Sequence, residues 1–214
     1  SGNPADSLTV QLKDIDVPYI LDIANFHSVG FNGLASGNVV LKSVFHNLQA
    51  NANLTVKQFQ FEHGDMGILY AKANYSNAEG RINIDAETID EGASTNIEGY
   101  IDLRHSYINL PIYANDTRLT FLKKFCGTFM DNINLRGNGW VKVVGPLNNV
   151  NLEGDMLASG SVRITPLGTT YIVQDGRVTL VPNEISLNNI TIADPEGHKA
   201  VLTGGLHHQA LRHL

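Results

Sequence analysis

A single cysteine, Cys126, excludes an internal disulfide and any metal site built on cysteine pairs. No run approaches the ~18 uninterrupted apolar residues of a membrane-crossing helix. Charge is sparse, at 17% of residues, and it lacks a basic bias: 15 Lys and Arg against 21 Asp and Glu leave −6. That balance, with no block of cations, excludes the electrostatic footprint of a nucleic-acid or anionic-membrane binder. One Trp and 7% aromatics cannot assemble the platform of exposed rings that a carbohydrate-binding surface needs. His-Glu-x-x-His, Gly-x-Ser-x-Gly and a phosphate-cradling glycine loop ahead of a helix are also missing.

What the 214 residues have in plenty is glycine (20), asparagine (22) and alternation. Gly and Asn turn a chain through positive φ, so turns are frequent. The hydrophobic fraction, 43%, is enough for a core. Ile82/Ile84, Ile101/Leu103, Ile108/Leu110/Ile112, Val141/Val143, Val162/Ile164, Val178/Leu180 and Ile185/Leu187 all space apolar side chains one residue apart. Period two puts such pairs on one face of a strand and leaves a polar face opposite. Sheets wet on one side are characteristically antiparallel, and the short gaps forbid parallel crossovers. Asp175-Gly176 predicts a hairpin between Tyr171–Val173 and Val178–Leu180, and the slip of phase at Asn188-Asn189 predicts a bulge or tight turn. Two short helices are expected: one from Pro18 through Ile20, Leu21 and Ala24 with Asp16 as cap, the other capped by Asp116 with Leu119, Leu122, Cys126 and Phe129 on one face. The fold class is therefore all-β with one or two short helices.

The chain also repeats itself. Gly37-Asn38-Val39-Val40-Leu41 matches Gly139-Trp140-Val141-Lys142-Val143 at an offset of 102, and Met66-Gly67 through Tyr70 matches Leu167-Gly168 through Tyr171 at 101. Glu91-Gly92 with Gly99 and Ile101 matches Glu196-Gly197 with Gly204 and Leu206 at 105. We read two modules, 1–115 and 116–214, the second continuous with the first, and residues 1–7 as a loose edge. Modules of this kind stack because one cannot bury its apolar face alone. The last strand-like run, Ala200 to Leu206, is followed by only a few residues, which reads as a segment of something longer.

No constellation here does chemistry. Asp85, Glu87, Asp90 and Glu91 fall on a wet face or in a loop, and Asp194-Pro195-Glu196-Gly197 reads as a turn. His207 and His208 are adjacent, so they point to opposite faces of a strand and cannot share an ion, and His63 and His213 add no ligand spacing. Cys126 reads as a small buried hydrophobe. We expect no enzyme, no cofactor and no metal. The informative feature is the apolar strip itself, which is packed core if the sheet folds on itself. It is an exposed lining that demands an apolar guest if the sheet curls into an open trough.

A resemblance bears on that choice. The stretch from Gly137 to Gly154 and the run from Tyr171-Ile-Val-Gln-Asp-Gly176 through Asn183-Glu-Ile-Ser-Leu187, Ile190-Thr-Ile-Ala-Asp194 and Gly204-Gly-Leu-His207 carry a glycine and hydrophobic rhythm. That rhythm resembles TamB-type translocation and assembly module proteins of the AsmA-like superfamily, in the version found in Bacteroidota. The resemblance covers roughly 30–214. It implies an elongated, curved, mostly antiparallel sheet, a repeating β-groove of the β-taco kind with an apolar interior. It further implies a periplasmic segment of a protein anchored in the inner membrane, carrying phospholipid acyl chains towards the outer membrane in bridge-like lipid transport. Roles in outer-membrane biogenesis and protein secretion would follow, with an outer-membrane β-barrel partner engaged by other parts of the parent protein. On this reading the acyl chains lie along Val141, Val143, Leu152, Val162, Ile164, Tyr171, Val173, Val178, Leu180, Ile185 and Leu187. The alternative is a structural or adhesin-type β-repeat protein with a packed core and no lipid. Exposed edges predict edge-to-edge self-association in either case.

Overall fold

Alternation over nearly the whole chain produces one sheet. The computed structural model describes residues 6–23, 30–44 and 47–207. Its strands are β1 (Ser7–Asp16), β2 (Phe31–Lys42), β3 (Gln49–Phe61), β4 (Gly64–Asp65), β5 (Ile68–Ser76), β6 (Arg81–Asp90) and β7 (Ala93–Asp102). The series continues with β8 (Tyr107–Arg118), β9 (Met130–Pro146), β10 (Asn151–Ile164), β11 (Thr169–Val181), β12 (Glu184–Ala193) and β13 (Lys199–His207). Each strand pairs antiparallel with the next along an open, curved sheet, with only the two-residue β4 set aside on β3. Among the described residues, β1 and β13 are its two edges. The helices are short: α1 (Val17–Ile23) and α2 (Leu122–Cys126). Among the described residues no helix is long and apolar enough to cross a membrane.

The sheet follows the meander that short turns impose. Pro182-Asn183 and the Ser76–Gly80 segment turn the chain as their composition predicts. The ladder runs on unbroken through β8, which contains the division placed between residues 115 and 116. The accessible surface is 12566 Å², against about 9,700 Å² expected for a compact protein of this mass. A single layer that leaves much of one face unpaired accounts for the excess.

Three expectations are corrected. Asp175-Gly176 is not a hairpin, because β11 runs through it to Val181. The register shifts between Ala158 and Gly160 of β10, so the extra residue of a bulge sits on β11, with Asp175 at φ 48°. A positive φ serves a bulge as well as a primed turn, and sequence alone does not separate the two. Asp116 caps no helix: it lies in β8 at φ 52°, again at a bulge. The second helix is correspondingly short, beginning after Phe121 and leaving Phe129 exposed. In the first helix, Ala24 lies outside the described residues. The slip at Asn188-Asn189 is a bulge, with the register shifting between Leu187 and Ile190 and Asn189 at φ 51°.

These bulges share a construction. The Asp14 amide donates to Ser36 Oγ at 2.9 Å, and that hydroxyl donates back to Asp14 Oδ1 at 3.1 Å. Asp175 and Ser159 make the same exchange at 3.0 and 3.2 Å. The Asp116 amide donates to Asn138 Oδ1 at 2.8 Å, and Thr203 Oγ1 donates to Asn189 Oδ1 at 2.8 Å. In all four cases the neighbouring-strand partner precedes a glycine: Gly37, Gly139, Gly160 and Gly204. At Gly37 and Gly139, φ is 148° and 143°, and an added Cβ would meet a backbone oxygen of the next strand at 2.1 and 2.2 Å. Only glycine fits there. The Asp14 and Asp116 bulges stand 102 residues apart, the offset of the sequence repeat. Bulges bend a strand and increase its twist, so a series of them curves the sheet.

Candidate functional site: an open apolar trough

Cross-strand register assigns every side chain to a face. On the concave face, Val10 lies opposite Val39, Val39 opposite Ala52, Ala52 opposite Ala73 and Ala73 opposite Ile84. Ile84 faces Gly99, which lies against Leu110, and Leu110 faces Val143, which faces Leu152. A parallel row passes from Ile97 to Ile112, Val141, Gly154, Leu180 and Ile185. A third row joins Leu8, Leu41, Ala50, Tyr75, Ile82, Ile101 and Ile108. Nearly all these side chains are only half-buried, and at the β1 edge Leu8 and Val10 are exposed. Strand neighbours alone leave an apolar side chain in that state. A second layer would bury it.

Beyond the bulges the same face is covered. One buried cluster holds Leu119, Ile133, Leu135, Ala158, Val162, Ile164, Val173, Ile190 and Ile192, with Leu122 of α2 packed against it. A second holds Ala35, Val56, Phe59 and Met66, with Val17 and Ile20 of α1 against it. Phe121 packs on both clusters, its ring centroid 5.3 Å from that of Phe61, and Phe61 lies 5.6 Å from Phe31. This side chain, ahead of α2, thus joins β3 to the far half of the sheet across the face. Gly64 of β4 lies so close beneath it that a Cβ there would meet the Phe121 backbone at 2.4 Å. Between the clusters the face turns polar: Thr88, Thr95 and Thr117 are buried, and the Thr95 and Thr117 hydroxyls bond at 2.7 Å. The cavity beside them, about 10 Å³, holds no more than a water.

The eleven residues named from sequence share the concave face but divide between its two parts. Val162, Ile164 and Val173 are buried in the covered cluster, and Tyr171, Val178 and Leu187 pack at its margin. Val141, Val143, Leu152, Leu180 and Ile185 belong to neither cluster and line the open part. The equivalent lining from the first half of the chain, Val39, Leu41, Ile82, Ile84, Leu110 and Ile112, was absent from that set. Its signal was the same alternation, legible at Ile82/Ile84 and Ile108/Leu110/Ile112.

The convex face carries the charge. Lys72 and Asp85 face one another across β5 and β6, both exposed, and Arg177 is paired with Asp155 across β10 and β11. Hydrogen bonds from Arg177 hold the Asp155 carboxyl below its ordinary range. On the other face, beside Thr88 and Thr95, Asp90 pairs with Arg118 at 2.8 Å, and Arg118 also reaches Glu91 at 2.5 Å. Asp102, 3% exposed, closes the turn after β7. It accepts from the His105 amide at 3.0 Å, His105 Nδ1 at 3.0 Å, the Arg104 amide at 3.1 Å and Arg81 Nε at 3.0 Å. The His105 amide and ring, then Arg81, hold its carboxyl far below the usual carboxylate range. These bonds staple the turn.

The remaining candidates are structural. Asp194, Glu196 and His198 bring one ligand atom each to within 4.8 Å of one another. Asp194 Oδ1, however, already accepts from the Glu196 and His198 amides at 3.0 and 2.9 Å, as a turn-forming aspartate does. Burial works to raise the Asp194 carboxyl, and the His198 hydrogen bonds outweigh it and leave it lowered. His207 lies 3.8 Å from Glu184, while His208 and His213 lie outside the described residues. Burial pushes the Cys126 thiol up, away from reactivity. No family model, curated protein or solved structure matches this chain.

Proposed function

We propose that the chain is a lipid-handling segment whose trough carries phospholipid acyl chains, as the sequence resemblance to TamB-type proteins implies. The observation that carries the reading is the set of registered apolar rows crossing the sheet, over which none of the described residues forms a second layer. An aliphatic chain laid along such rows gains ~0.8 kcal/mol for each CH₂ removed from water. No polar anchor interrupts the open rows, so the guest is held in aggregate and slides. The same proposal places the segment in the periplasm, within a parent protein that bridges inner and outer membranes.

The covered half redirects the test. A charge at Val173 would unfold the cluster it helps build, so loss of lipid there would be uninformative. Val143 and Ile84 are half-buried on the open rows. Val143→Asp and Ile84→Asp are expected to leave the far-ultraviolet circular dichroism unchanged and to lower binding of a fluorescent long-chain phospholipid analogue at least tenfold. Undiminished binding in both folded variants would contradict the lining. A wild-type protein that binds no analogue would favour the adhesin-type reading.

A further inference from the structure

The two edges of the sheet are the outer halves of a junction that already exists inside it. β1 is the counterpart of β8 at the 102-residue offset: Leu8 corresponds to Leu110, Val10 to Ile112, and the Asp14 bulge to the Asp116 bulge. β13 is the counterpart of β7 at 105: Leu202 corresponds to Ile97 and Gly204 to Gly99, each pair on the concave face. The turns leading into β7 and β13 agree, with Gly92 and Gly197 at φ 89° and 88°. Inside the molecule β7 and β8 pair antiparallel, with Ile97 opposite Ile112.

We infer that, in the 214-residue chain, β13 of one molecule pairs antiparallel with β1 of a second copy, in the β7–β8 register, so that Leu202 lies opposite the second copy's Val10. Several observations favour this partner. Val10 and Leu202 are 38% and 36% exposed where Ile112 and Ile97 are half-buried, so each edge presents the apolar half of a pair. Gly204 has open space where a Cβ would stand, whereas its counterpart Gly99 is pressed against the Asn109 carbonyl of the adjoining strand at 2.2 Å. The second copy's Ser7 carbonyl, counterpart of Asn109 at the 102-residue offset, would supply the missing neighbour. Each edge is a strand of nine or ten residues, and neither carries a proline to discourage pairing. Because the contact joins unlike edges it does not close on itself, and it extends as a filament. The concave rows then continue from one copy into the next, whether or not the trough holds a guest.

The test uses the 214-residue chain with one edge altered at a time. Wild type is expected to form concentration-dependent chains in sedimentation velocity, while Val10→Lys and Leu202→Lys are each monomeric and folded by circular dichroism. Mixing the two variants restores one intact edge of each kind and is expected to give a 1:1 dimer and nothing longer. Register is read with cysteines in a Cys126→Ala background: Val10→Cys with Leu202→Cys forms an intermolecular disulfide ladder on oxidation, whereas Val10→Cys with Val201→Cys, on opposite faces, does not. A wild type monomeric at every concentration would overturn the inference. So would single variants that associate as wild type does, a mixture that stays monomeric, or equal ladders from both cysteine pairs.

Discussion

Asp175 shows how much of this fold rests on single residues held at positive φ. Its amide and carboxylate are both tied to Ser159, which makes a short polar side chain the stable occupant of a left-handed position. Asp175→Val puts a β-branched side chain at φ 48° and removes the bond to Ser159, and it is expected to lower stability by about 2 kcal/mol. Asp175→Gly keeps the backbone and loses only the side-chain bond, so its cost is expected to stay within about 1 kcal/mol. Urea midpoints of the two variants check the difference, and equal losses would mean that the bulge conformation is not what the side chain supports. Asp102 gives a residue-scale prediction in pH. Its folded-state carboxyl lies below the unfolded value of about 3.9. The charged form therefore contributes stability above that value, and the contribution is lost as pH falls through the folded one. Asp102→Asn is expected to lower Tm most at pH 5–7, with the gap to wild type narrowing steadily below pH 4. A gap independent of pH would show that shape rather than charge matters at the turn.

At the scale of elements, strands were more legible than what lies across them. Alternation located the strands of the second half, and antiparallel pairing followed from one wet face. The helices were only partly legible. Leu119 and Phe121 do turn inward as an apolar pattern demands, yet they do so from the strand end and the turn before a five-residue helix. Their partners, Ile133 on the next strand and Phe61 far along the chain, leave no local trace in the sequence. For the same reason the covered and open halves of the concave face could not be separated: Val173 and Val143 sit in identical alternating contexts. The structure separates them, and truncation should too. Ile164→Ala, in the covered cluster, is expected to cost 2–5 kcal/mol. Val143→Ala, with solvent already on one side, is expected to cost under about 1 kcal/mol. Chemical denaturation decides it, and similar losses at both sites would mean that the trough is packed like a core.

For the whole molecule, the decisive feature is a single sheet with one oily face that the described residues cover only beyond the bulges. An apolar surface of that extent on a lone chain calls for something to lie on it. The 102-residue offset of the sequence recurs in one pair of bulges, Asp14 and Asp116, and in the close-packed glycines Gly37 and Gly139. The adhesin-type alternative differs at this scale only, in needing no guest. The account is therefore tested most directly by native mass spectrometry of the wild-type chain after incubation with phospholipid vesicles and removal of the vesicles. It predicts discrete adducts of one phospholipid mass or more, depleted in Val143→Asp. A bare polypeptide mass in the wild type, or adducts that persist undiminished in that variant, would contradict it.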